Sequence, residues 1–199
     1  MRIGGVLLAA GASTRFGGRP KGLLVFRTTT FLRHLATELA AVSSPTLVVS
    51  APTTASSFSS GILGSGARLI VNRHPERGMG SSISTAVRTL DEIAPELDAL
   101  LVALVDQPLA DRTLFGQLIA AAVADPARSW AASDYGNGVI GPPALFPRSA
   151  FGELAALSGD FGARPLIERE RPRLALVPFP GGRFDVDVGA DYERLLEVE

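Results

Sequence analysis

The 199-residue chain contains no cysteine and only two histidines. Without cysteine it cannot form a disulfide, a thiolate metal site or a cysteine nucleophile. A reducing compartment is therefore permitted, and we expect a cytoplasmic protein. His34 lies in the first predicted helix and His74 precedes a proline. A packing or surface role is expected of both, so general acid-base catalysis by histidine is not predicted.

Long apolar runs and an excess of charge of one sign are also missing. The longest apolar runs, such as Ala99 to Val105, have the length of a buried strand and fall far short of the roughly 20 residues of a membrane span. The formal net charge of −1 argues against a general nucleic-acid binder. With 46% hydrophobic residues, the chain can bury a substantial core. We expect one domain over residues 1–199.

Continuously apolar segments typical of β-strands alternate with segments of helical periodicity. The strand candidates are Ile3 to Ala9, Thr46 to Ser50, Ala67 to Val71, Ala99 to Val105 and Leu174 to Pro178. Core-facing helical stripes are formed by Phe31, Leu32, Leu35, Leu39 and Val42, by Leu114, Leu118 and Ile119, and by Tyr192, Leu195 and Leu196. This alternation predicts an α/β fold with a mostly parallel sheet covered on both faces. A ligand site is then expected beyond the carboxyl ends of the strands.

The loop after the first predicted strand is rich in glycine and in positive charge. It reads LLAAGASTRFGGRPKGLL, from Leu7 to Leu24, and has no acidic residue. Glycines let successive backbone N–H groups turn towards phosphate oxygens, and Arg15 and Lys21 add full charges. The loop fits neither the Walker pattern nor the G-x-G-x-x-G pattern. Charge alone leaves an exposed basic surface loop as the alternative.

Two acidic segments follow later strands. In LLVALVDQP, Asp106 ends an apolar strand and could hold Mg²⁺ beside phosphates, or could cap the helix that begins near Asp111. Asp111 lies closer to that helix start. In FDVDVGADYERLLEVE, Asp185 and Asp187 are both candidates for facing Asp106, and the sequence leaves open which of the two does so. Asp191 is typical of a first helical turn.

Five segments together resemble the nucleotidyltransferases that mature molybdenum cofactor. In chain order they are LAAGASTRFGGRPK, NRHPERGMGSSIS, LVDQP, GPPALFPRSAFGELAALSGDFGARPL and DVDVGADYERL. They span nearly the whole chain in the family's order. The resemblance implies a Rossmann-like three-layer α/β/α nucleotidyltransferase fold, a Mg²⁺-dependent enzyme, and a first loop that wraps a nucleoside triphosphate.

The resemblance also implies roles for particular residues. The residues expected to stabilise the reacting phosphates are Arg15 and Lys21. Those expected to bind the nucleotide are Leu8, Ala9, Ala10, Gly11, Ser13, Arg15, Lys21, Gly80, Ser81, Ser82 and Asp106. Those expected to bind the acceptor are Gly159, Asp160, Gly162, Ala163 and Arg164, unless this glycine-bearing stretch is only a connection between helices. The expected metal ligands are Asp106 and Asp187.

Two short motifs favour one branch of the family. Ala-Ala-Gly in the first loop and Asp-Gln-Pro after the fourth strand resemble the cytidylyl-transferring branch, whereas guanylyl-transferring relatives usually carry Ala-Gly-Gly or Gly-Gly-Gly. The resemblance therefore implies transfer of CMP from CTP to the terminal phosphate of molybdopterin, with release of pyrophosphate. A molybdenum hydroxylase is a possible client, and no nucleic-acid or membrane partner is expected.

Other functions stay open at this point. A relative using GTP or another phosphorylated acceptor would share the same loops. A redox relative of the same fold could bind a nicotinamide or flavin nucleotide without Mg²⁺. A non-catalytic chaperone could deliver cofactor to its client, although Lys21 and both aspartates speak against that role. Sugar-nucleotide pyrophosphorylases share the opening signature but fit Asp-Gln-Pro and GDFGAR less well.

Overall fold

The computed structural model describes residues 1–11, 20–125, 129–184, 186 and 189–197. The strands are β1 (Ile3–Leu8), β2 (Val25–Phe26), β3 (Thr29–Thr30), β4 (Thr46–Ser50), β5 (Arg68–Val71), β6 (Ala99–Leu104), β7 (Ala131–Gly136), β8 (Val139–Pro147) and β9 (Ala175–Pro178). The α-helices are α1 (Phe31–Ala40), α2 (Ala55–Gly61), α3 (Met79–Ile93), α4 (Arg112–Ala124), α5 (Phe151–Ala155), α6 (Arg164–Glu170) and α7 (Gly189–Glu197).

Within the described ranges, seven strands form one sheet in the order β5-β4-β1-β6-β8-β7-β9. β1 lies between β4 and β6 and pairs in parallel with both, with Gly5 opposite Thr46 and Ile3 opposite Ala99. β8 is antiparallel to both of its neighbours, β6 and β7, while β7 and β9 are parallel. The prediction of a mostly parallel α/β sheet is confirmed. A separate two-stranded ribbon joins β2 and β3.

Helices cover both faces of the sheet, as the continuously apolar strands predicted. Along β1, Leu7 joins the core beneath α1, α2, α4 and α7, whereas Val6 and Leu8 join the core beneath α3, α5 and α6. Side chains of a strand alternate between its two faces, so one apolar strand can serve both cores. All three side chains are at most 8% exposed. The three-layer arrangement follows directly from these two cores.

Two helices begin at side-chain caps. The backbone N–H of Arg33 donates to Thr30 Oγ1 at the start of α1, and that of Leu114 donates to Asp111 Oδ1, at 2.9 Å, at the start of α4. Each cap satisfies a helix N–H that has no partner within its own helix. The capping role therefore belongs to Asp111, which leaves Asp106 for another purpose.

The two histidines occupy the kinds of position expected of them. His34 is half-buried in α1, and its ring centroid lies 5.1 Å from that of Phe26. Burial lowers its pKa, so the imidazole is neutral near neutral pH. His74 is exposed, with Nδ1 3.1 Å from Glu76 Oε1.

None of the helices in the described part of the chain combines the length and apolar character needed to span a bilayer.

An ion pair joins α1 to the start of α4. The Arg112 guanidinium donates to both carboxylate oxygens of Glu38, at 2.8 and 2.7 Å, and the backbone N–H of Arg112 donates to the same carboxylate at 2.9 Å. The Arg112 side chain holds the pKa of the Glu38 carboxyl at about 2, below its ordinary value of 4.5. The pair therefore stabilises the fold above pH 4.5, and this contribution is lost as the pH falls towards about 2.

We predict that Glu38→Gln lowers the free energy of unfolding at pH 7 and that the difference from wild type narrows below pH 4.5. Urea denaturation between pH 7 and pH 3 measures this. Glu96→Gln is the matched control, because Glu96 Oε1 lies 3.8 Å from Arg2 and both side chains are exposed. If both variants lost the same free energy of unfolding at every pH, the stabilising role of the Glu38–Arg112 pair would be contradicted.

Candidate functional site

A cleft of about 760 Å³ opens at the carboxyl ends of β1, β4 and β6. This is the edge of an α/β sheet at which ligands generally bind. Of the predicted nucleotide-binding residues, those that line the cleft are Leu8, Ala9, Ala10, Gly11, Lys21, Ser82 and Asp106. Ser13, Arg15 and Asp187 lie outside the described residues, so their assignments remain predictions.

Lys21 and Asp106 face each other in the cleft. Lys21 begins a short 3-10 helix, Lys21–Leu23, and its Nζ lies 3.6 Å from Asp106 Oδ2. The two side chains are only 14% and 26% exposed. Beneath them, a Cβ on Gly22 would lie 3.1 Å from Phe58 and 3.3 Å from Val105, so the loop packs closely on the core. An ammonium suited to phosphate and a carboxylate suited to a cation thus share one partly enclosed space.

The carboxyl-terminal segment contacts the end of β6. The backbone N–H of Val186 donates to the carbonyl oxygen of Asp106 at 3.1 Å. Farther along, the Tyr192 hydroxyl donates to the carbonyl oxygen of Val25 at 2.9 Å. Asp185 and Asp187 lie outside the described residues, and the proposed sharing of a metal by Asp106 and Asp187 stays a prediction. Asp191 lies in the first turn of α7, as its position in the sequence indicated. Its carboxylate pairs there with Arg194.

The donor set suits a divalent cation that arrives with its substrate. Among the residues whose placement is described, no three histidine, cysteine, aspartate or glutamate side chains converge on a common point. Asp106 nevertheless offers a carboxylate to the cleft. Mg²⁺ commonly binds one or two carboxylates plus substrate phosphates and keeps several waters. Asp106 fits that kind of site.

A buried asparagine organises the start of α3. Asn72 is 2% exposed, and its Nδ2 donates to Ser81 Oγ at 2.8 Å and to Ser82 Oγ at 3.0 Å. Its Oδ1 accepts the backbone N–H of His74 at 2.9 Å. The hydroxyls of Ser81 and Ser82 are therefore held in place from below, and Ser82 lines the cleft. Asn72 begins the motif NRHPERGMGSSIS, but the motif alone indicates no role for it.

The rim of the cleft carries a further carboxylate, that of Glu76. A hydrogen bond from its own backbone N–H, together with the neighbouring His74, lowers the pKa of the Glu76 carboxyl. Glu76 is therefore ionised at neutral pH.

Backbone contacts join the start of α3 to the predicted acceptor segment. The N–H of Gly159 donates to the carbonyl of Arg77 at 2.8 Å, and the N–H of Gly80 donates to the carbonyl of Gly159 at 2.9 Å. A Cβ on Gly80 would lie 2.8 Å from the Ser158 backbone. Gly78, at φ +82°, has no room for a Cβ beside Gly159. The predicted nucleotide and acceptor segments are thus in direct contact.

A second cavity of about 670 Å³ lies beside the cleft, over β6, β8 and β7. Its floor is apolar and includes Val102, Leu104, Ile140, Ala144 and Phe146, whereas its polar lining includes Gln107, Tyr135, Asn137, Arg164 and Arg183. Of the predicted acceptor residues, Ala163 and Arg164 line this cavity and Asp160 lines the first cleft. Gly159 contacts Arg77 and Gly80 instead. Gly162 packs against Met79.

A hydrogen-bond network fixes the polar corner of the second cavity. Gln107 Nε2 donates to Tyr135 Oη at 2.8 Å, and the Tyr135 hydroxyl donates to the carbonyl of Pro142. Gly141 and Gly182 pack against Tyr135, and a Cβ on Gly141 would lie 2.7 Å from its hydroxyl oxygen. In the sequence, Gln107 indicates only the branch of the family, through the Asp-Gln-Pro motif. Tyr135 was not predicted as a site residue, because it lies in β7, a strand that was not predicted.

The mostly parallel sheet, with helices on both faces and a cleft at its strand ends, has the Rossmann-like α/β fold of nucleotidyltransferases. Residues 5–174 match the family of MobA-like NTP transferase domains, and the chain belongs to that family. The family predicted from the sequence is therefore confirmed.

Two relatives, one of them in two crystal structures, illustrate the similarity. Nicotine blue oxidoreductase of Paenarthrobacter nicotinovorans is 31% identical over 176 residues, which cover 86% of this chain and 84% of that protein. The crystal structure of Rv0371c from Mycobacterium tuberculosis H37Rv is 32% identical, with a TM-score of 0.81 over 99% of this chain and 98% of the other. A manganese complex of Rv0371c is similar at 30% identity, with a TM-score of 0.77 over 99% of each chain.

We predict that Gly80→Ala destabilises the protein by about 1–3 kcal/mol, because its methyl group would press on the Ser158 backbone. Gly116→Ala in α4 is the matched control, since no neighbouring heavy atom of the described chain lies within 4 Å of its Cβ position. That control should gain about 0.5–1 kcal/mol from the better helix propensity of alanine. Urea denaturation compares the two, and equal effects would contradict the close contact at Gly80.

Proposed function

We propose that the protein transfers CMP from CTP to the terminal phosphate of molybdopterin or its molybdenum-loaded form, with release of pyrophosphate. The observation that carries the proposal is the pair of Lys21 and Asp106, 3.6 Å apart in the cleft at the strand ends. The family supports nucleotidyl transfer. The choice of CTP and of the acceptor rests on the Ala-Ala-Gly and Asp-Gln-Pro motifs and on the resemblance described above.

The reaction needs no general base. A phosphate monoester is largely dianionic at neutral pH, since its second pKa is about 6. One of its oxygens attacks the α-phosphorus of CTP and forms a new P–O bond. The bond from that phosphorus to the oxygen bridging to the β-phosphate breaks, and pyrophosphate leaves with the electron pair. Positioning and charge neutralisation are then the main tasks of the protein.

The side chains of the cleft supply those two functions. The Lys21 ammonium stabilises negative charge on the triphosphate and on the departing pyrophosphate, with Arg15 proposed as its partner on the family resemblance. Asp106, with Asp187 as the proposed second ligand, would hold a divalent cation that neutralises charge between donor and acceptor phosphates. Mg²⁺ is the proposed ion, and the existence of a manganese complex of Rv0371c supports the use of a divalent cation. Ala10 and Gly11, which line the cleft just after β1, would face the phosphates.

The second cavity is the proposed acceptor site. Its apolar floor can take the flat face of a ring system, and Arg164 and Arg183 can meet the acceptor's anionic groups. Asp160 lines the cleft, and Gly162 packs against Met79, which lines both spaces. Together with Gly159, these residues are proposed to contact the acceptor. A molybdenum hydroxylase remains the proposed recipient of the product.

A redox function is the second candidate. One relative is named a nicotine blue oxidoreductase, and the second cavity adjoins the cleft along a shared wall. A nicotinamide dinucleotide could extend from one space into the other and use no divalent cation. The facing Lys21 and Asp106 favour phosphoryl chemistry over this alternative, and also over a non-catalytic carrier of cofactor.

The decisive assay offers each nucleotide in turn. The protein is incubated with molybdenum cofactor, Mg²⁺ and CTP, GTP, ATP or UTP, and pyrophosphate is measured. We expect release with CTP that requires both the acceptor and the metal. Preference for GTP would overturn the branch assignment. Oxidation of NADPH without pyrophosphate release would favour the redox function, and binding of cofactor with neither reaction would favour a carrier.

The pairing of Lys21 with Asp106 predicts opposite effects of one substitution on two measurements. Lys21→Met removes a positive charge that competes with a cation for Asp106, so the nucleotide-free protein should bind Mn²⁺ about 3- to 10-fold more tightly. The same variant should lose at least about 10²-fold in CMP transfer, because a preorganised charge at the phosphates is gone.

Electron paramagnetic resonance of free Mn²⁺ gives the affinity, and Lys21→Arg is the matched control because it keeps the charge. Unchanged Mn²⁺ affinity and unchanged transfer in Lys21→Met would show that the ion pair does not belong to the reaction site.

A further inference from the structure

The cleft and the second cavity share an apolar wall. Leu8, Met79 and Leu104 line both spaces, and we call these three residues the threshold. Leu8 ends β1 and Leu104 ends β6, two strands paired side by side with Leu8 opposite Leu104. Met79 approaches from the other side as the first residue of α3. The way from one space to the other therefore passes between apolar side chains.

Met79 differs from the other two in its exposure and in what holds it. Its side chain is 41% exposed, although it belongs to a helix whose other large apolar side chains in the first three turns are buried. Gly162, at φ +54°, packs against it, and a Cβ there would lie 2.8 Å from Met79 Sδ. A side chain at position 162 would displace the methionine. The acceptor segment thus holds Met79 at the boundary between the two spaces.

The exposed part of the Met79 side chain does not stabilise the fold. A large apolar side chain left in water contributes nothing through burial. Met79 becomes buried only when something occupies the spaces on either side of it. Under the proposed function, those occupants are the donor and the acceptor, and their reacting phosphates meet at the threshold.

We propose that Met79, together with Leu8 and Leu104, excludes water from the α-phosphorus and so directs the reaction to the acceptor. This inference rests on the proposed nucleotidyl transfer. The competing reaction is hydrolysis, in which a water oxygen attacks the α-phosphorus, the bond to the β-bridging oxygen breaks, and CMP, pyrophosphate and a proton are released. Water is far more concentrated than any acceptor, so transfer requires a water-excluding surface at this point.

The test compares the fate of CTP in wild type and in variants of Met79. Met79→Gln keeps a side chain of similar length but can hold water by hydrogen bonds, whereas Met79→Leu keeps an apolar surface. With molybdenum cofactor, Mg²⁺ and CTP labelled at the α-phosphate, free CMP and transferred CMP are separated and their ratio is measured. We expect Met79→Gln to raise the ratio of hydrolysis to transfer about tenfold and Met79→Leu to leave it near wild type.

A solvent label and further variants distinguish a loss of water exclusion from a general loss of structure. Reaction in H₂¹⁸O should place the label in the phosphate of the free CMP, which shows that water attacked phosphorus. Ile93→Gln is the matched control, because Ile93 ends the same helix, is 46% exposed and lines neither space. That variant should keep the wild-type ratio. Met79→Ser provides a second polar variant if the glutamine variant folds poorly.

The outcomes distinguish this inference from the proposed function. Transfer by wild type with an unchanged ratio in Met79→Gln and Met79→Ser overturns the role of Met79 and leaves the proposed function intact. A raised ratio in both polar variants, with Met79→Leu and Ile93→Gln unchanged, supports it. Absence of transfer by wild type with every nucleotide overturns the proposed function and this inference together.

Discussion

The parallel pairing of β1 with β4 and β6 is the constraint on which the rest of the site depends. Hydrogen bonding continues one residue beyond the strand ends, from the N–H of Ala9 to the carbonyl of Val49 at 2.9 Å and from the N–H of Val105 to the carbonyl of Leu8 at 3.1 Å. These bonds fix the two positions at which the chain leaves the sheet. The loop that begins at Ala10 and the carboxylate of Asp106 therefore start from neighbouring, rigid points, as precise positioning of reacting groups requires.

A second constraint couples the two halves of the site. The backbone bonds between Arg77, Gly80 and Gly159 leave almost no room for side chains. The backbone groups at the start of α3 and in the predicted acceptor segment serve as hydrogen-bond partners for one another. Asn72 supports the same region from beneath through Ser81 and Ser82. The predicted donor and acceptor segments are consequently parts of a single packed unit, so ligands bound to both would lie at a constant distance.

The sequence predicted the strands that carry nearly continuous apolar runs, because such a run is readable without tertiary information. Five such strands were found to within one residue at each end. The hairpin of β7 and β8 was missed, since Pro142 and Pro143 argue against a strand and Asp134 interrupts the apolar pattern. β8 tolerates both prolines where its pairing with β7 is irregular, with register shifts on either side of Ser133 and Asp134.

Part of the candidate site could likewise be predicted from the sequence, and part could not. The first loop, Asp106 and the start of α3 carry short motifs, so the resemblance located them. Lys21 and Asp106 could be named from the sequence, but their contact could not, because the two residues are distant in the chain and meet only through tertiary packing. The second cavity has no local signature at all, since its lining comes from residues as far apart as Leu8 and Arg183. Tyr135 and the shared position of Met79 emerge only from the packed structure.

The central claim is that the cleft at the strand ends holds a nucleoside triphosphate with a divalent cation at Asp106. A crystal structure with the α,β-methylene analogue of CTP and Mn²⁺ tests it most directly, because the analogue cannot release pyrophosphate and manganese gives an anomalous signal. We expect the triphosphate beside Gly11 and Lys21 and the manganese peak at coordination distance from the Asp106 carboxylate. An analogue bound in the second cavity, or a manganese peak remote from Asp106, would contradict the account.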